Sequence, residues 1–312
     1  MYMFSLKESR MSGILALVAL AFVFATAGVF ARYLGDTFML FEQMYLRIGG
    51  AFLIACIILA PTLRLRQFLT LSLRDHCILV FRALALYGGV TLFVLAVLTT
   101  TLANASFTAA LPLLPIFGYI FFREKLKLKT LAWIGVGVIG IGLISLIDLQ
   151  SFRFGMGELY ALGCVILFDL SYVARRWHSD HLSNMESATY MFFVGAVALF
   201  ITSMLSGEPL PHASDFTPWV LFFVAGAAVF NVANLYLTNY GFKNVKIAVA
   251  GNILTLETIF ALLYSVLLFH EDISIREMLG GLLVILSVIM VNASEAVVDD
   301  TVQKSQSKRI FN

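Results

Sequence analysis

Polar residues along this chain are sparse and bunched, and long apolar stretches lie between them. From Lys246 to Asn292 the sequence reads KIAVAGNILTLETIFALLYSVLLFHEDISIREMLGGLLVILSVIMVN. Its first part is apolar except for one carboxylate, Glu257. His270-Glu271-Asp272 then interrupts, and a second apolar run carries Gly280-Gly281. At ~1.5 Å per residue, each run is long enough to cross ~30 Å of hydrocarbon as a helix. The same pattern along the chain predicts ten spanning helices, at 13–33, 39–60, 76–98, 102–122, 130–147, 156–175, 186–205, 218–239, 247–269 and 274–292. Thr99-Thr100-Thr101 divides the third from the fourth. Without that division one helix would carry more than about 40 apolar residues, which no bilayer holds.

The pattern repeats. Between Leu102 and Leu146 an apolar run ends in Phe121-Phe122-Arg123-Glu124, and a glycine-bearing run from Trp133 to Gly137 follows. Glu124 and Glu271 stand 147 residues apart (271 − 124), close to half of the 312-residue chain. This spacing predicts an internal duplication, with five helices in residues 1–147 and five in residues 148–292. Because five is odd, the second half enters the membrane from the opposite side. The predicted fold is therefore an all-α integral membrane protein of ten transmembrane helices, arranged as two inverted five-helix repeats. Residues 293–312 are polar and are expected to form a disordered cytoplasmic tail.

Composition agrees. Hydrophobic residues make up 60% of the chain and charged residues 13%, where soluble domains average ~25% charged. Mean hydropathy is +0.92. The net charge of +2 carries little meaning, but the placement of the charges does. With the N-terminus inside, Lys7, Arg10, Arg64, Arg66, Arg74, Arg123, Lys125, Lys127, Lys129, Arg175, Arg176, Lys243, Lys246, Lys304, Lys308 and Arg309 fall on the inner side. Arg153 and Arg276 fall outside, with Arg32 at a span end. The lysine–arginine bias thus predicts both termini in the cytoplasm of a plasma (inner) membrane protein. The first apolar run has no small-residue cleavage site of the A-x-A type and reads as a retained helix. Cys56, Cys77 and Cys164 lie in or beside apolar runs and read as small apolar fillers.

The segments LETIFALLYSVLLFHE, ahead of a glycine-led last helix, and ALPLLPIFGYIFFREKL, ahead of the fifth, resemble the EamA-type branch of the drug/metabolite transporter superfamily. The resemblance covers residues 13–292. It implies a secondary carrier of small metabolites, often an exporter. Pro112 and Pro115 are similar to the family's prolines in helix four, and Arg47 to its arginine in helix two. The family's ninth helix reads Leu-Glu-Pro, whereas this chain has Leu256-Glu257-Thr258. The glutamate matches and the helix-breaking proline is absent.

Charges inside a span cost about 2.5–3.5 kcal/mol each, so each one needs a reason. Glu257 is the deepest carboxylate. It suits proton coupling or a substrate ammonium, or else a buried pair with Arg47. Arg47 suits a two-pronged grip on a carboxylate or phosphate. Arg82 and Asp169, in helices three and six, are candidates for an ion pair that gates the inner side. Alternatively they reach for the headgroups. Asn231 and Asn234 share a face of helix eight. With Tyr87, Tyr119, Tyr172 and Tyr236 they are candidates to line a polar cavity, the alternative being hydrogen bonds between helices. Pro112 and Pro115 free backbone carbonyls in mid-membrane, for binding or gating, or simply bend the helix. Gly135 and Gly142, and Gly280 and Ser287, are seven residues apart on helices five and ten and predict close packing, between repeats or in a homodimer.

A carboxylate in helix nine and arginines in helices two and three suit a zwitterion. They point to an amino acid, or a derivative such as S-adenosylmethionine, with protons or a counter-substrate as coupling partner. The alternative is an anionic, nucleotide-type metabolite held by the arginines alone. No cofactor, metal or nucleic acid is expected. His178 and His181 lack further ligands, and the chain has no phosphate-binding GxxxxGK[ST]. A lipid-modifying enzyme fits poorly, because the histidines are scattered and the external loops short. A non-transporting scaffold would not need charges at mid-membrane.

Overall fold

The structure, a computed structural model, describes residues 2–60, 71–99, 108–109, 111, 113–124, 126–145, 155–177, 182–269 and 274–310. Among these residues there is no strand. The first half of the chain supplies α1 (Tyr2–Gly35), α2 (Leu40–Leu59), α3 (Leu73–Thr99), α4 (Leu114–Phe122) and α5 (Leu128–Ser145). The second supplies α6 (Met156–Val173), α7 (Asn184–Leu205), α8 (Pro218–Asn244), α9 (Ile247–Leu254), α10 (Leu256–Phe269) and α11 (Ile275–Ile310). Among the described residues, seven stretches are long and apolar enough to cross a membrane, one of them running continuously from Ile247 to Tyr264 through α9 and α10. Met11–Thr26 and Leu128–Ile144 are shorter apolar helices. The expected fourth span, 102–122, is described only in part.

Local chemistry sets the helix ends. At the start of α7 the Ser183 hydroxyl accepts from Glu186 N (3.1 Å), and Ser183 N donates to the Glu186 carboxylate (2.7 Å). This reciprocal cap satisfies two of the free amides at a helix start. The Thr217 hydroxyl accepts from Val220 N (3.3 Å) at the start of α8, with Pro218 in its first turn, where no amide donor is needed. α4 ends on Arg123, which adopts a left-handed φ of 53°. There Arg123 N donates to Tyr119 O and Glu124 N to Gly118 O, so the turn satisfies the last carbonyls.

The ninth predicted span is broken at Thr255, where α9 stops and α10 begins. The Thr255 hydroxyl donates to Asn252 O (2.7 Å), and the Thr258 hydroxyl donates to Thr255 O (2.8 Å). These hydroxyls occupy the carbonyls of the preceding turn and bend the helix. Two threonines therefore mark the break in a segment that has no proline. After Ser294 the last helix continues to Ile310, in place of the expected disordered tail. Residues 294–310 contain neither glycine nor proline, so a helix already started propagates through them.

Packing runs mainly between the two halves of the chain. α5 lies along α11, α3 along α6, α1 along α8 and α2 along α7. α2 also meets α8, α3 meets α7, α1 meets α9 and α10, α4 meets α6, and α4 meets α9. The α5–α11 contact is a backbone-level approach. A Cβ on Gly140 would stand 2.7 Å from Gly280 O, and one on Gly280 would stand 2.6 Å from Gly140 O. A Cβ on Gly137 would meet the Ser287 hydroxyl at 2.7 Å. The expected glycine face on α11 is therefore in contact, but its partners are Gly137 and Gly140. Nothing lies within 4 Å of a Cβ on Gly135. α4 and α9 meet through Leu114 and Gly251, where a Cβ on Gly251 would lie 2.8 Å from Leu114 Cβ.

Gly280→Ala is expected to cost about 1–3 kcal/mol through overpacking against a backbone carbonyl. Gly135→Ala should change stability by less than about 0.5 kcal/mol. Denaturant unfolding of the purified protein in detergent measures both, and equal effects would contradict this packing.

Candidate functional site

Arg82 is fully buried on α3. Its Nη2 donates to Asn239 Oδ1 on α8 (2.6 Å) and its Nε to Ser171 O on α6 (3.2 Å). The Ser171 hydroxyl donates back to Arg82 O (2.8 Å). Asn239 then donates to Asn184 O (3.1 Å), whose side-chain oxygen accepts from Arg175 (2.8 Å). A guanidinium thus ties α3, α6 and α8 together, using the several directions that only arginine offers.

Arg82 does not pair with Asp169 as expected, and helix phase gives the reason. Asp169 and Ser171 are two residues apart, or ~200° around a helix of 3.6 residues per turn. With Ser171 turned to Arg82, Asp169 faces away. It is 4% exposed, and its Oδ2 has no hydrogen-bond partner among the described residues. It shares its face with Tyr172, one turn on.

Glu257 occupies the first turn of α10, directly after the break at Thr255. The positive end of the α10 dipole favours a carboxylate there. The flanking residues Ile253, Leu254 and Leu256 pack in one cluster with Tyr172, Phe242 and Phe168. Among the described residues, no ion pair joins Glu257 to Arg47. Arg47 is buried on α2, and its Nε has no hydrogen-bond partner among them.

The other expected cavity residues do not converge on Glu257. Asn231 donates to Ala227 O within its own helix (2.8 Å). Asn234 is half-buried, and its carbonyl accepts from the Thr238 hydroxyl. Tyr87 is a packing residue, its ring lying directly over Gly195 of α7. Tyr119 is 62% exposed on the outside of α4. Tyr236 borders an apolar cleft of about 480 Å³ with Ile58, Leu59, Met185, Val232 and Ala233; Asn231 and Asn234 do not line it. Pro115 sits in the first turn of α4, where it removes no hydrogen bond. Pro112 lies outside the described residues, as do His178 and His181. Among the described residues, no group of three His, Cys, Asp or Glu side chains is placed to hold a metal.

Two polar clusters cross between the halves at opposite ends of the bundle. At one end Arg176 Nη1 pairs with Glu124 Oε1 (2.7 Å), and Arg176 Nη2 donates to Val245 O (2.6 Å). Arg176 also lies 5.2 Å from the centroid of the Phe122 ring. Glu124 is placed by the left-handed turn after α4 and packs against Gly118, where a Cβ would stand 2.9 Å from its carboxylate. At the other end Glu208 accepts from Phe41 N (3.1 Å) and Glu42 N (2.8 Å), and so caps α2. Ser203 holds the same carboxylate (2.9 Å). Sequence reasoning missed both clusters. Glu124 stood out only as a repeat marker and Arg176 only as an orientation charge.

Long apolar helices with charged groups held inside the bundle define a multi-pass, all-helical membrane protein. Comparison with known proteins points the same way. Residues 155–293, a little under half of the chain, match the EamA-like transporter family. The chain is 22% identical over 226 residues to an uncharacterized transporter of Methanothermobacter thermautotrophicus, covering 69% of this chain and 64% of that protein. It is 24% identical over 245 residues to an uncharacterized transporter of Archaeoglobus fulgidus, covering 77% of this chain and 74% of that one. A protein of known crystal structure shares the fold with a TM-score of 0.75 at 17% identity, over 90% of this chain and 98% of that chain.

Arg82→Met leaves Asn239 and Ser171 O unpaired and is expected to cost about 1–3 kcal/mol. Arg82→Lys should not recover it, because one ammonium cannot reach both partners in the same geometry. Thermal unfolding in detergent measures both; full stability in the lysine variant would contradict the network.

Proposed function

We propose that the protein is a secondary active transporter that moves an amine-bearing small metabolite by alternating access, as an exporter or exchanger. Amino acids, or derivatives such as S-adenosylmethionine, are the substrate class. The observation that carries the reading is the position of Glu257, at a helix discontinuity inside the bundle. Transporters place substrate and ion sites at such breaks, because unwound backbone is tolerated only where protein or a cavity covers it.

The two halves act as inverted five-helix repeats in this reading, with α9 and α10 together as the counterpart of α4. The packing supports it. Exchanging each helix of one half for its counterpart turns α3–α6 into α8–α1, α2–α8 into α7–α3, and α1–α9 into α6–α4. It leaves α2–α7, α4–α9 and α5–α11 as they are. Every one of these pairings is observed. Two near-equivalent halves can exchange conformations, which converts an inward-open form into an outward-open one.

The polar clusters at the two ends then serve as the alternating closures. Arg123, Lys127, Lys129, Arg175, Arg176, Lys243 and Lys246 gather at the Arg176–Glu124 end, which the positive-inside bias assigns to the cytoplasm. Both termini lie on that side, and the Glu208 cap closes the outside.

Counterflow in proteoliposomes tests the transport reading. Vesicles are loaded in turn with unlabelled amino acids, S-adenosylmethionine and nucleotides, and uptake of the labelled compound is followed. An amine-bearing metabolite should exchange, and Glu257→Gln should abolish exchange in folded protein. Exchange of anionic nucleotides alone would overturn the substrate class, and silence across the panel would overturn the carrier.

The inner closure has its own test. Arg176→Ala and Glu124→Gln should each slow exchange, and their effects on stability should couple by about 0.5–3 kcal/mol in a double-mutant cycle. Additive effects would remove Arg176 and Glu124 from a common closure.

A further inference from the structure

A groove of about 400 Å³ opens at one end of the α3–α6 pair, lined by Arg74, Cys77, Ile78 and Phe81 of α3 and by Trp177, just past the end of α6. The four α3 residues follow the i, i+3, i+4, i+7 spacing of a single helix face. They form a stripe that is charged at one end and apolar along the rest. Phe81 is 41% exposed, and exposed Leu84 continues the stripe about one turn further. The membrane spans fix the level of the groove. The α3 span begins at Leu73 and the α6 span ends at Arg176. Arg74 and Trp177 therefore stand together at the headgroup boundary, and Phe81 lies ~10 Å deeper at ~1.5 Å per residue.

Both polar residues have donors to spare. Among the described residues, the Arg74 side chain has no ion-pair or hydrogen-bond partner, and the Trp177 indole N–H makes no hydrogen bond. The Trp177 ring is set by Phe121 of α4, which meets it edge-on at 5.1 Å. The carboxylate next in sequence to Arg74 is turned inward. Asp75 is buried and accepts from the Ser72 hydroxyl (2.8 Å). His76 in turn meets the Tyr190 hydroxyl of α7 (3.2 Å). No acidic side chain is among the residues that line the groove. A headgroup carrying an ammonium would meet no carboxylate here. A phosphate with net negative charge meets a guanidinium and an indole N–H, above an apolar track that an acyl chain can follow.

We propose that this groove binds one anionic phospholipid, with its phosphate on Arg74 and Trp177 and an acyl chain along Ile78 and Phe81. Lipid binding here needs no transport by the chain. It would anchor α3 and α6 to the headgroup layer at the end where both spans meet it.

Native mass spectrometry of the full-length protein, released from detergent, tests the site. The probes are dioleoylphosphatidylglycerol and dioleoylphosphatidylcholine, which share their chains and differ in net charge. Glycerol 1-phosphate serves as the headgroup without chains. Wild type should bind its first phosphatidylglycerol about fivefold tighter than its first phosphatidylcholine, the effect of one basic residue at an anionic headgroup. Arg74→Gln should abolish that preference, and Arg74→Lys should keep most of it. Arg276→Gln, which removes a charge at the start of α11 instead, should leave it unchanged. Phe81→Gln should weaken the binding of both lipids. Thermal unfolding confirms that each variant is folded. Equal binding of the two lipids by folded wild type overturns the site. So does a preference that survives Arg74→Gln, or one that falls as far with Arg276→Gln. Full displacement of the lipid by glycerol 1-phosphate would overturn the acyl track and leave a bare anion site. A dimer that excludes the lipid would overturn the lipid as occupant and make this face a contact between copies of the chain.

Discussion

A backbone break inside an apolar bundle must satisfy its own polar groups, because hydrocarbon offers them no partner. At Thr255 two hydroxyls meet part of that demand, one on Asn252 O and one on Thr255 O. The rest of the interior follows from this solution. The break gives α10 a new N-terminus within the bundle, and Glu257 lies in its first turn. A carboxylate is easier to hold there than in the middle of an unbroken helix, because it stands at the positive end of the α10 dipole. The partner helix α4 is short as well and meets α9 at the Leu114–Gly251 contact. The two short helices therefore lie against each other.

Around this centre the helices are held by contacts that differ in kind. The α5–α11 pair relies on close backbone approach at Gly140 and Gly280, the usual device where burial of apolar surface gives no net drive in lipid. The α3–α6–α8 group relies on a buried guanidinium shared by Asn239 and Ser171. Both ends rely on a carboxylate from one half answering groups of the other. Glu124 meets Arg176, and Glu208 meets the amides of Phe41 and Glu42. Glycine contacts and core networks are rigid, whereas ion pairs and caps near water exchange partners at little cost. The proposed rocking motion would thus break the ends and spare the frame.

Much of this was legible in the sequence. The apolar runs gave the helices, and the Gly280–Ser287 face was recognised from spacing alone. The errors have physical causes. Asp169 and Arg82 looked like partners because both are charged and lie at similar depth, but depth says nothing of azimuth. Ser171 takes the face that Arg82 needs, which turns Asp169 toward Tyr172. Tyr119 looked like a cavity residue by type, yet α4 presents it outward. Asn239 carries the hydrogen bond that Asn231 and Asn234 were expected to offer, and one asparagine on an apolar helix reads much like another. The break at Thr255 was hidden because threonine bends a helix only when its hydroxyl folds back on the preceding turn.

The contact of α4 with α9 beside the break is the central claim, and cysteine cross-linking in native membranes tests it directly. Cys56, Cys77 and Cys164 are first replaced by alanine. Leu114→Cys and Gly251→Cys, whose Cβ positions lie 2.8 Å apart, are then combined, and a protease site is placed in the loop at Gly207 that separates them in sequence. A short thiol-bridging reagent should keep the two fragments joined after cleavage, and the control pair Tyr119→Cys with Gly251→Cys should fall apart. Fragments that separate in the first pair, in protein that remains folded, would contradict the account.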